Sequence, residues 1–394
     1  MAMSDRALCT FTPVDTWFFR ESRPQGSLGT SGLDSVFPPP VRTLMGAVRT
    51  FLGDAWHARN GTSWRDFASN ERLKAVIGFG SDLGPLKVRG AFLCSEGRQL
   101  YPAPASLMVK EDRYFLLEPG DAVTCDLGRV RLARMPARVA GLADLSGARP
   151  VEGRYLTAQG WQSVLAGQAP ASGEVIDHTR LWSIEPRMGI GRDNARSAVS
   201  HGMLYQTRHV RPVAGVTIRM EVGGLPSDWQ QWGMGHESLI RLGGEGRQAV
   251  LKLEPAPEMT LPSMPSGLER ARELMLYNLT SVPCEPGMPA GVPHGFHRVE
   301  LPDGSTAWEG DLAGAALRIL GVNCARVQRE GGWDLARHRA VAVESLLPAG
   351  SALHVEPLGP ESWTALRALH GRPTGASSAW GRGLWVLGRV PHSS

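Results

Sequence analysis

Residues 36–59, VFPPPVRTLMGAVRTFLGDAWHAR, decide how the chain begins. Three consecutive prolines stop any earlier helix, and their fixed φ presets the start of a new one. Val41, Leu44, Met45, Val48 and Leu52 then recur at helical spacing, which gives one amphipathic helix. Upstream, ALCTFTPVDTWFF (7–19) alternates apolar and small residues before a bend at Pro13, as a strand does. Between the two lies SRPQGSLGTSGLDS (22–35), a connector with nothing to bury. Strand, connector and helix make a βα opening.

Working outward, the rest reads as short strands. GAFLCSEG (90–97) and RYFLLE (113–118) are strand candidates, and GQAPASGE (167–174) is a surface loop. VAGVTIRMEV (213–222) alternates as a half-buried strand, and SLIRLGGEGRQAVLKLEP (238–255) is two strands joined by a glycine turn. Four prolines in EPAPEMTLPSMPSG (254–267) then mark a domain boundary. Beyond it, strands are interrupted by a short helix at ESWTALRALH (361–370), and GLWVLGRV (383–390) closes the chain. Both halves read as α+β with mostly antiparallel sheet, the ferredoxin-like arrangement. The expected division is 1–258 and 259–394. With 47 glycines and 29 prolines in 394 residues, turns should be many and elements short.

Charge is distributed unevenly. Four lysines stand against thirty-eight arginines, an excess that a GC-rich genome produces and that also suits phosphate contact. Codon bias does not explain local clustering. RMGIGRDNARSAVSHGMLYQTRHVR (187–211) holds five arginines and one acid, so its formal charge equals the +4 of the whole chain. Gly189 and Gly191 permit a tight loop, with Arg187, Arg192 and Arg196 along one side of a groove and Arg208 and Arg211 in the following strand. Asn194 can hydrogen-bond a base edge or a phosphate, while His201 and Tyr205 offer stacking faces. The plain alternative is a solvated basic loop. In IRLGGEGRQAVLK (240–252), Gly243, Gly244 and Gly246 would let a phosphate approach main-chain N–H groups, with charge from Arg241, Arg247 and Lys252. The alternative there is a hairpin turn that needs positive φ. Arg42 and Arg49, seven apart on the helix, form a third candidate or simply an exposed face.

Other chemistry is sparse. The chain has no GxxxxGK[ST], HExxH or GxSxG pattern and no EF-hand loop. GIGRDNA (189–195) begins like a dinucleotide loop, but Asn194 stands at the sixth position and a strand-like segment follows. His294 and His297 lack a Cys or carboxylate partner at ligand spacing. Cys9, Cys94, Cys125, Cys284 and Cys324 are scattered and odd in number, which points to a reducing compartment. With no run of eighteen apolar residues and no signal-like N-terminus, the expectation is a cytoplasmic protein with no membrane contact and no cofactor. Trp229, Trp232 and Trp333 lie beside glycine-rich loops that bury little, so some of these rings are expected to meet a partner.

Seven segments in order carry a resemblance: DTWFFRESRPQG (15–26), FPPPVRTLMGAVR (37–49), LYPAPASLMV (100–109), residues 187–211 and 240–252, GGWDLARHRAVAVESLLPAGSALHVE (331–356) and WGRGLWVLG (380–388). On these the chain resembles the third subunit of type III-B (Cmr) CRISPR effector complexes, within the RAMP superfamily of RNA-binding proteins. The resemblance implies two tandem ferredoxin-like (RRM-like) domains, with loop insertions in the first. It implies a non-catalytic subunit that holds the 5′ handle of the CRISPR RNA, between the large polymerase-like subunit and the first backbone RAMP subunit. The material between 52 and 180 is long for that family. The RNA contacts expected are Arg42, Arg49, Arg187, Arg192, Asn194, Arg196, His201, Tyr205, Arg208, Arg241, Gly243, Gly244 and Arg247. A competing reading is a metal-independent RAMP endoribonuclease that processes precursor RNA, with His201 as general base.

Overall fold

The computed structural model describes residues 5–21, 32–126, 128–193, 196, 198–232, 237–255, 258–284 and 291–391; the side chains of 191–193, 198–204, 231 and 232 are outside that description. The protein is mixed α and β, with several antiparallel sheets and few helices. Two compact units are interleaved in sequence. The first comprises 1–97, 178–258 and 329–343; the second comprises 98–177, 259–328 and 344–394. The expected division at 258/259 is one of the crossings between them, and the region 98–177 groups with the C-terminal residues.

In the first unit, β1 (Ala7–Pro13), α1 (Val41–Asn60) and β2 (Lys87–Ser95) realise the βα opening. A long hairpin follows, β3 (Trp182–Asp193) and β4 (Ala198–Pro212), then β5 (Thr217–Gly223), β6 (Ser238–Arg241) and β7 (Gln248–Pro255). The antiparallel sheet has the order β2-β5-β1-β7-β6. β1 lies near its centre because Ala7, Cys9 and Phe11 alternate toward one buried face, with Cys9 opposite Met220 on one side and Leu253 on the other. Along α1, Leu44, Met45, Val48, Leu52 and His57 are buried, and Gly61 ends the helix in the left-handed conformation.

In the second unit, β8 (Leu274–Asn278), β9 (Ala315–Asn323), β10 (Ala352–Pro357), α2 (Ser362–Leu369) and β11 (Trp385–Gly388) form the main body. The sheet order is β9-β10-β8-β11, continued beyond β9 by Thr306–Leu312 and His297–Glu300. All five residues of β8 are buried, as a strand covered on both faces requires. Leu276 faces Leu353 and Leu387 on its two neighbours, and α2 adds Leu366 and Leu369 to the same core. Residues 98–177 supply the neighbouring strands Val175–Asp177, Arg154–Thr157 and Arg98–Pro102, a three-stranded sheet of Arg113–Leu116, Leu107–Lys110 and Arg149–Pro150, and the hairpin Glu118–Cys125/Gly128–Arg134.

The spatial order of the principal strands is the same in both units. Taken in chain order as first to fourth (β1, β2, β5, β7 and β8, β9, β10, β11), each set lies second-third-first-fourth. The first unit carries its long helix after the first of these strands; the second carries α2 after the third and a further helix, Ala158–Leu165, within 98–177. Among the described residues no helix is long and apolar enough to cross a membrane.

Candidate nucleic-acid interface

The arginine-rich stretch is not a tight loop. It runs through most of the β3/β4 hairpin, paired from Trp182↔Pro212 to Ile190↔Leu204, with a register shift before Arg192↔Val199. Alternation sorts its side chains. Glu185, Arg187 and Gly189 share one face with Tyr205, Thr207, His209 and Arg211; Ile184, Pro186 and Met188 share the other with Gln206, Arg208 and Val210. Glycine is needed at 189 for a packing reason. A Cβ there would sit 2.3 Å from the Tyr205 ring, which lies across this cross-strand position.

Two further segments join the polar face. Trp17 exchanges backbone hydrogen bonds with Val210, each 2.8 Å, which fixes Asp15–Phe18 alongside the hairpin. The Phe18 carbonyl then accepts from the Gly244 N–H at 2.8 Å, and a Cβ on Gly243 would come within 2.6 Å of the same oxygen. The close approach that Gly243 and Gly244 permit is therefore to the Phe18 backbone. The Gly244 donor expected for a phosphate is already engaged.

The result is a cluster drawn from three places in the chain. Asp15 takes Arg187 at 3.0 Å, Arg211 at 3.1 Å and Arg247 at 3.3 Å. Glu185 takes Arg187 at 2.7 Å and also Arg211. Burial pushes the Asp15 carboxyl up, but the Arg187 hydrogen bond and the guanidiniums of Arg211 and Arg187 outweigh it and hold the group below its ordinary value. Glu185 is held low by hydrogen bonds from Arg211 and Arg187. His209 is buried, stacked on Phe18 with ring centroids 5.1 Å apart, and bonded to the Thr16 and Thr207 hydroxyls, each at 3.1 Å. Burial, then the charges of Arg187 and Arg247, press its pKa down, so it is neutral at pH 7. Three guanidiniums against two carboxylates leave a net charge of +1, and all five side chains are 24–46% exposed. Such an array presents planar donors at a water-accessible surface, the form that accepts a phosphodiester.

Of the expected contacts, Arg187 and Arg247 meet here. Arg196 is exposed near the hairpin tip, and Arg241 is exposed at the end of β6. Arg208 points to the opposite face and pairs with Asp34 at 3.4 Å. Asn194 and the side chains of Arg192 and His201 lie outside the described residues. The two candidates on α1 have partners of their own. Arg49 is largely buried and donates to the Gly80 carbonyl at 2.8 Å, with Asp334 and Asp82 nearby; Arg42 lies 4.0 Å from Glu330. Neither is part of the cluster. Asp15, Glu185 and His209 do not stand out in the sequence, and Arg211 reads there only as part of a strand after a loop. Reading the whole of 183–211 with a two-residue period would have put Glu185 and His209 beside Arg187 and Arg211.

Trp229 is fully buried, whereas Trp333 is 60% exposed; the Trp232 side chain is outside the described residues. The five cysteines are free, and among the described residues no group of His, Cys, Asp and Glu is arranged to hold a metal.

The model of the family described as CRISPR-associated protein (Cas_Cmr3) matches residues 9–390. No curated protein sequence matches the chain. Among solved structures, a chain of the type III-B Cmr-beta complex bound to cognate target RNA is 13% identical at a TM-score of 0.48, covering 88% of this chain and 86% of that one. A chain of the Csm3–Csm4 subcomplex of the type III-A CRISPR-Cas interference complex is 10% identical at a TM-score of 0.31, covering 90% and 94%. The family model spans both units and every segment that carried the resemblance, and on that match the chain belongs to the Cas_Cmr3 family of CRISPR-associated proteins.

Proposed function

We infer that this chain is the RNA-binding subunit of a type III-B CRISPR ribonucleoprotein, seating the 5′ handle of the CRISPR RNA without cleaving it. It would bridge the large polymerase-like subunit and the backbone RAMP subunits. Two ferredoxin-like domains form the scaffold in this reading, supported by the shared second-third-first-fourth strand order. The observation that carries the RNA role is the convergence of Arg187, Arg211 and Arg247 on Asp15. The carboxylates hold the guanidiniums in place before RNA arrives, so less rotamer freedom is lost on binding. A phosphate joining the cluster meets a residual positive charge and several N–H donors.

The test is binding of handle RNA at several salt concentrations. Arg187→Gln with Arg247→Gln should weaken binding and flatten the dependence of log affinity on log salt by about 1.4, roughly 0.7 for each phosphate no longer neutralised. Glutamine keeps a donor for Asp15 and so limits damage to the fold. Unchanged affinity and slope would mean that the RNA lies elsewhere.

A further inference from the structure

We propose that the outer edge of β3 accepts an extended strand from another protein subunit of the effector complex, one whose residues alternate between apolar and acidic. The inference rests on the chain's place in a CRISPR effector complex and is independent of which RNA segment it holds.

β3 is the end strand of its sheet; β4 lies between it and the short strand Gly32–Leu33. Which way its backbone points follows from its partners. The Val213 N–H donates to the Leu181 carbonyl at 2.8 Å, so the odd-numbered residues up to Gly189 bond to β4 and the even-numbered ones point away. Val210, opposite Ile184, obeys the same rule, because its N–H and carbonyl turn from β3 to Trp17. Pro186 and Pro212 obey it too, standing where no donor to the other strand is needed. The N–H groups of Ile184, Met188 and Ile190, and the carbonyls of these residues and Pro186, are thus aimed outward. None has a backbone partner among the described residues.

The same residues carry an apolar row. Ile184 is 52% exposed, Met188 63% and Ile190 55%, and Pro186 between them is exposed as well. A folded chain avoids an unpaired edge beside four exposed apolar side chains unless another chain completes it. An added strand would bond to the edge and set its alternate side chains against the row. Its remaining side chains would lie on the opposite face beside Arg187, where three guanidiniums outnumber two carboxylates, so acids fit there and lysine or arginine does not. RNA is a poor match for the row, which offers phosphate no donor, and Arg208 on the same face is paired with Asp34 at 3.4 Å. A second copy fits poorly as well. Antiparallel pairing of two β3 edges about residue 185, 186 or 187 sets Glu185, Pro186 or Arg187 opposite itself, which opposes like charges or removes two donors.

The experiment assembles the effector complex from its own protein subunits and CRISPR RNA. Amide exchange over residues 183–190 is followed in the isolated chain, in the chain with CRISPR RNA alone, and in the complex. Ile184, Met188 and Ile190 should exchange freely in the first two states and become protected only in the complex. Met188→Pro removes one outward donor while sparing every bond to β4, and should weaken retention of one neighbouring subunit roughly tenfold. Met188→Asp puts a charge into the apolar row and should weaken it at least as much. Both variants should bind handle RNA as the parent does, so failure of the handle reading would leave this result standing. The exchange measurement needs no substitution and decides the matter even if Met188→Pro does not fold. Equal exchange at the three amides in the isolated chain and in the complex would overturn the proposal, as would full retention of every subunit by both variants. Protection by CRISPR RNA alone would assign the edge to RNA, and protection that rises with the concentration of the isolated chain would assign it to a second copy; either would overturn it too.

Discussion

Arg49 shows how a single side chain changes role once its surroundings are known. On the helix it stands seven residues from Arg42, a spacing that suits two cations on one exposed face. Instead its guanidinium runs inward to the Gly80 carbonyl, near Asp334 and Asp82, and its Nε has no hydrogen-bond partner among the described residues. Burial presses its pKa down, and the two carboxylates oppose that shift, so the charge is kept where water is scarce. Removing it leaves the Gly80 carbonyl without this donor and the buried Asp334 carboxylate without a nearby charge. Arg49→Ala should therefore cost about 1.5–3 kcal/mol of stability, the usual loss for a hydrogen bond to a charged group. Handle binding per folded molecule should not change. Urea unfolding and RNA titration of the same sample separate the two effects; weaker RNA binding at unchanged stability would return Arg49 to the interface.

At the scale of elements, the β3/β4 hairpin depends on carboxylates for its attachment to Asp15 and to the glycine turn. The folded pKa values of Asp15 and Glu185 lie below their unfolded ones. Their contribution to stability is thus complete above the unfolded values, near 3.8 and 4.5, and is lost as pH falls through the folded values. The urea midpoint should drop between pH 5 and pH 3, and the drop should be shallower in Asp15→Asn, which no longer titrates at that position. Identical pH profiles would show that the ion cluster is solvated and contributes nothing to folding. How legible this element was follows from its residues. The α1 helix could be read directly because Leu44, Met45, Val48 and Leu52 keep one period and three prolines mark its start. The hairpin could not, since Gly189, Gly191 and the Ser/Ala-rich segment around 195–200 hide the alternation. Gly243 and Gly244 were legible as a turn, but their approach to Phe18, more than two hundred residues away, was not.

At the scale of the whole molecule, the interleaving of the units was hidden for a similar reason: nothing local in 98–177 indicates which strands it will join. The charged groups of the Asp15 cluster are, by contrast, each committed to a partner. Metal-independent cleavage of RNA needs a base free to take the 2′-hydroxyl proton and an acid free to protonate the leaving oxygen. In the cluster both carboxylates are held by arginines and kept below their ordinary values, which makes them weak bases. His209 is neutral, yet both ring nitrogens are engaged, one by the Thr16 hydroxyl and the other by Thr207. Among the described residues of the cluster no group is left free to move a proton, which suits the proposed role of holding RNA. Precursor CRISPR RNA incubated with the purified chain, with or without a divalent cation, should therefore remain intact on a denaturing gel under conditions where the handle is bound. Site-specific, stoichiometric processing that disappears in His201→Ala would instead establish the chain as a RAMP endoribonuclease, with His201 as its general base.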